Sequence, residues 1–90
     1  MASKPTPDQA ATLALKALGY LTNFEPALSR FMELSGARPQ TLRDRAEEPE
    51  FLASVLDFLL MDEELLIRFC TDTSIDARSV HLAQRVLAGP

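Results

Sequence analysis

Apolar residues recur every three to four positions along most of the chain, and short polar breaks divide them into six helical runs. The first run opens at Thr6-Pro7-Asp8-Gln9. Thr6 suits a cap, Pro7 tolerates the first helical position, and Gln9 can close a capping box. Leu13, Ala14, Ala17, Leu18, Leu21 and Phe24 follow at helical spacing, and the small alanines admit a close neighbour. Asn23 is the expected cap of a second helix, with Pro26 in its first turn and Ala27, Leu28, Phe31 and Leu34 facing inward. Ser35-Gly36 ends it, because glycine accepts the left-handed conformation that helix ends need. Pro39 then opens a short third helix through about Ala46, with Leu42 and Ala46 inward.

Three acids around a proline, Glu47-Glu48-Pro49-Glu50, mark the next start, where negative charge suits a helix N-terminus. Phe51, Leu52, Val55, Leu56, Phe58, Leu59 and Leu60 cover most of the fourth helix, which predicts a central element. Asp62-Glu63-Glu64 caps a fifth helix carrying Leu65, Leu66, Phe69 and Cys70. Thr73, Ser74 and Asp76 form a turn and a cap. A sixth helix presents Val80, Ala83, Val86 and Leu87 and ends at Gly89-Pro90. Five to six short helices without a strand pattern predict an all-α fold, a compact six-helix bundle.

The two halves read alike at a constant offset. Leu28-Ser29-Arg30-Phe31 meets Leu66-Ile67-Arg68-Phe69, and at the same offset Leu18 meets Leu56, Leu21 meets Leu59, Glu25 meets Glu63 and Leu42 meets Val80. This predicts two three-helix units, about 7–46 and 49–88, packed face to face near a pseudo-twofold axis, with the Leu18 and Leu56 helices central. Residues 1–5 read as a flexible arm ahead of a single domain at 6–90. Arg30 and Arg68 are matched cations, expected either to tie down a loop of the opposite unit or to share a contact surface.

Ninety residues make one domain with a modest core, about 60% of the unfolded surface being hidden at this size. A net charge of −4 disfavours phosphate backbones and anionic membranes. A single cysteine excludes an internal disulfide and a thiolate metal cluster, which points to a reducing, cytoplasmic setting. The N-terminus lacks the apolar stretch of a signal peptide, and no apolar run is long enough to span a bilayer. With three glycines and one histidine there is no phosphate loop, no Cys/His metal spacing and no nucleophile triad. These exclusions predict a non-enzymatic chain without cofactor or metal.

Three candidate features remain. The segment 35–45 has a helix-turn-helix form, with Arg38, Gln40, Arg43 and Arg45 placed to contact a partner or a nucleic acid, Arg reading guanine and Gln reading adenine. The net charge and the acids Glu47, Glu48 and Glu50 weigh against nucleic acid. His81 is a formal candidate for a phosphorelay phosphoacceptor or a general base, but no carboxylate at helical spacing orients it, and its repeat mate is Arg43, an expected surface residue. Cys70, whose mate is Met32, reads as a buried, inert thiol.

Several stretches carry a resemblance. They are Ala14–Leu21, Leu28–Phe31 through Leu34-Ser35-Gly36, Gln40–Arg43, Pro49–Leu59 and Asp62-Glu63. In these the chain resembles, over about residues 8 to 90, a short all-helical alphaproteobacterial family catalogued as domain of unknown function 3572. The resemblance implies an intracellular bacterial protein standing alone, and it supplies no catalytic residue, cofactor or partner. The reading is therefore a protein–protein interaction or regulatory adaptor acting on another protein. Nucleic-acid binding through residues 35–45 and a phosphorelay component are the alternatives. A homodimer follows if one apolar face stays unfilled.

Overall fold

The computed structural model describes residues 4–89 and begins its first helix, α1 (Pro7–Thr22), with the expected capping box. The Gln9 amide donates to Thr6 Oγ1 at 3.1 Å, and the Thr6 amide donates to Gln9 Oε1 at 3.0 Å. Residues 1–3 of the expected arm, and Pro90, lie outside the described residues.

α2 (Glu25–Ser35) follows directly after Asn23 and Phe24. Its cap is Phe24, not Asn23. Asn23 instead closes α1, its Nδ2 donating to the Gly19 carbonyl at 3.1 Å. The connection is too short for Asn23 to leave the end of α1 and reach the amides of α2. Gly36 ends α2 at φ 72°, its amide donating to the Met32 carbonyl. α3 (Pro39–Arg45) starts with the Arg38 amide donating to Thr41 Oγ1 at 2.8 Å and buries Leu42.

α4 (Pro49–Met61) buries Phe51, Leu52, Ala53, Val55, Leu56, Phe58 and Leu59, as a central helix must. α5 (Glu63–Thr73) is capped by Asp62, whose carboxylate accepts from the Leu65 amide at 3.2 Å. Ser74 ends it in the left-handed region at φ 59°. α6 (Ala77–Ala88) is capped by Asp76 through the Arg78 amide at 3.0 Å. The described residues hold six helices and no strand, so the protein is all-α.

The core is one apolar cluster with no buried polar or charged residue among those described. α6 lies against both α1 and α4, and α1 lies against α4. Ala10, Ala14 and Ala17 are fully buried, so α1 meets its neighbours through its smallest side chains. Phe31 and Phe69 anchor α2 and α5, each burial being worth roughly 1.5–3 kcal/mol. The molecule measures 38 × 25 × 17 Å. Leu34, expected inward, is exposed instead (66%), and Leu28 is only half-buried. Leu34 and Ser35 of the last turn of α2 line an open cavity with Ser54, Asp57, Phe58 and Met61 of α4.

Several positions paired by the offset share burial class or helix position. α2 runs from Glu25 to Ser35 and α5 from Glu63 to Thr73, so both ends of the two helices are repeat pairs. Leu18/Leu56, Leu21/Leu59, Phe31/Phe69 and Leu42/Val80 are all buried. Gly36 and Ser74 are both left-handed caps. The correspondence stops at the third helices. α3 has seven residues against twelve in α6, and α6, unlike α3, packs extensively on both α1 and α4.

Candidate functional site

The four residues expected at 38–45 differ in exposure and pairing. Gln40 and Arg43 are exposed on α3, and Arg38 is exposed just before it. Arg45 is engaged: its Nε donates to Glu48 Oε1 at 3.3 Å, and its guanidinium lies 4.9 Å from the Phe51 ring centre. α3 spans fewer than two turns, a short stage for three free contacts.

Arg30 and Arg68 answer one another across the molecule. Arg30 bonds Asp62 at 3.1 Å, while Arg68 lies 5.0 Å from the ring centre of Phe24. Phe24 and Asp62, the caps of α2 and α5, are themselves a repeat pair. Each arginine thus holds the cap of the opposite half. No ion pair joins Arg68 to Glu64 at helical spacing. A cavity of about 160 Å³ opens between them, lined by Phe24/Asp62, Pro26/Glu64, Ala27/Leu65 and Arg30/Arg68, four pairs at the same offset. Two cations and two anions balance there, so the charge favours neither kind of ion.

Two matching ring pairs flank these contacts and differ at their edges. Between α1 and α5, the Tyr20 and Phe69 rings meet edge to face at 5.4 Å, and Tyr20 Oη donates to Asp72 Oδ2 at 2.7 Å. Burial beside that carboxylate pushes the Tyr20 phenol up to about 12, against the opposing pull of Arg68. Between α2 and α4, Phe31 and Phe58 repeat the edge-to-face pair at 5.4 Å. Here Phe58 stands where Tyr20 stands in the other pair, and Leu34 stands where Asp72 does, so no hydrogen bond closes the edge. What remains is an open apolar cavity of about 140 Å³, lined by Phe31, Leu34, Ser35, Ser54, Asp57, Phe58 and Met61. Leu34 (66%) and Met61 (73%) are the most exposed large apolar side chains among the described residues.

This groove was not foreseen from sequence. A faint signal existed: in the repeat alignment Leu34 faces Asp72, a polar position, which argues against an inward Leu34.

The remaining candidates stay apart. His81 is exposed on α6. Cys70 is half-buried, and burial with nearby Asp76 raises its thiol pKa, which holds it in the unreactive protonated form. No group of three or more His, Cys, Asp or Glu among the described residues is placed to hold a metal ion. No helix of the described residues is long and apolar enough to cross a membrane.

A family model described as a protein of unknown function (DUF3572) matches residues 7–90. No curated protein and no solved structure matches the chain.

Proposed function

We propose that this chain, which belongs to the DUF3572 family of proteins of unknown function, is a non-enzymatic module that binds another protein in the cytoplasm. The observation that carries the reading is the α2–α4 groove. A small domain rarely leaves two large apolar side chains exposed around an apolar cavity unless the surface is used. Helix-in-groove contacts are a common use of such a surface. Arg38, Gln40 and Arg43 are exposed beyond the end of α2 and are the further polar positions a partner could touch. Arg45 pairs with Glu48 and lies over the Phe51 ring, which leaves it less available than the other three.

The test is cross-linking in cells that naturally produce the protein, at native abundance, followed by purification under denaturing conditions. The reading expects one protein partner recovered in stoichiometric yield. Recovery of nucleic acid, with binding that weakens steeply with salt and with Arg43→Ala, supports the helix-turn-helix alternative instead. Recovery of neither contradicts the reading.

A further inference from the structure

We infer that the α2–α4 groove takes one aliphatic or aromatic side chain from a basic amphipathic helix of the partner. The inference rests on the protein-binding reading and names the chemistry of the contact.

The two matching ring pairs provide an internal comparison. They are Phe31 with Phe58 on one side and Phe69 with Tyr20 on the other, each pair at 5.4 Å. The Tyr20–Asp72 bond satisfies the edge of one pair within the chain itself. The other pair lines the groove, which has an apolar rim of Leu34 and Met61. Its volume of about 140 Å³ suits a single group, since apolar cavities near 150 Å³ hold a benzene ring.

The occupant's charge follows from Asp57, the one charged residue lining the groove among those described, and from the net charge of −4. A helix carrying Lys or Arg one turn from its apolar anchor pairs with that carboxylate and is steered by the whole molecule. A second copy of the chain is the poorer occupant. It brings the same negative charge, including a second Asp57.

The test titrates three short alanine-based helical peptides into the protein, followed by amide and methionine-methyl NMR shifts. One carries a central Leu flanked by Lys, one the same Leu flanked by Glu, and one Ala flanked by Lys. The Leu/Lys peptide is expected to shift Leu34, Ser54, Asp57 and Met61, and to bind about tenfold or more tightly than the other two. The double variant Leu34→Asp, Phe58→Tyr copies the closed edge onto the open one with a pair the chain already uses. It should fold and lose that binding, and Asp57→Lys should turn the preference toward the Glu peptide. Equal binding of the three peptides, no groove shifts at millimolar peptide, or binding unchanged by the double variant overturns the inference. So does self-association of the free protein that Leu34→Asp abolishes, which would make a second copy the occupant. If the cellular partner still cross-links to Leu34→Asp, only this inference fails. If no partner is recovered with the wild-type chain, the underlying reading fails.

Discussion

Arg30 in α2 and Asp62 at the head of α5 meet at 3.1 Å and bridge the two halves of the chain. The same Asp62 also caps α5 through the Leu65 amide, so one carboxylate serves two purposes. Arg30 is largely exposed (60%), and water screens the pair. Removing the arginine should therefore cost little, about 0.2–1 kcal/mol. Asp62→Ala also removes the cap and should cost about 1 kcal/mol more. Urea denaturation of both variants checks the order; equal losses would mean the cap contributes nothing.

The left-handed caps give a second prediction. Ser74 sits at φ 59°, where a side chain is strained, while Gly36 holds the corresponding place at φ 72°. Ser74→Gly should stabilise the protein by about 0.5–1 kcal/mol, and Gly36→Ala should destabilise it by about 1 kcal/mol. A Cβ at Gly36 would meet no neighbour, so any loss there reports backbone strain alone. Thermal melts of both variants supply the comparison.

The Tyr20–Asp72 bond makes stability fall at high pH. The phenol is pushed up to about 12 in the folded protein, against about 10 in the unfolded chain. Below about pH 10 both states keep the proton and the contribution is whole. Between about 10 and 12 the unfolded chain loses the proton first, so stability drops as pH rises. Urea midpoints measured across that range should fall more steeply for the wild type than for Tyr20→Phe. Parallel curves would count against the bond.

Cys70 offers a probe of burial. Its raised pKa and half-buried position should make the native thiol react with iodoacetamide at pH 8 several-fold more slowly than in urea. Equal rates would mean the α5 face opens freely.

The local signals that set helix ends were legible. The Thr6/Gln9 box, the Asp62 and Asp76 caps and the Gly36 stop all depend on residues within a few positions of each other. Periodicity marked α4 as central because its apolar residues leave little polar face. The same rule misplaced Leu34. Following Phe31 by most of one turn, it falls on the inward stripe, but it lines an open cavity between α2 and α4, and how closely two helices pack at one point is a tertiary fact. Asn23 failed for a similar reason, since capping ability does not say which of two adjoining helices a residue serves. The reciprocal use of Arg30 and Arg68 was visible as a question in the alignment, but the partners, Asp62 and Phe24, differ too much chemically for sequence to have matched them. The groove depends on a missing hydroxyl at Phe58 and a missing carboxylate at Leu34, absences that acquire meaning only beside Tyr20 and Asp72.

Site-specific photo-cross-linking in cells tests the central claim most directly. A benzophenone side chain is placed in separate variants at Met61 in the open groove, at its repeat mate Asn23, and at Gln40 on α3, all exposed positions. Protein binding through the α2–α4 groove predicts a cross-link to one protein partner from position 61, little from 23, and weaker yield from 40. A dominant cross-link from position 23 or from 40, with none from 61, would contradict it.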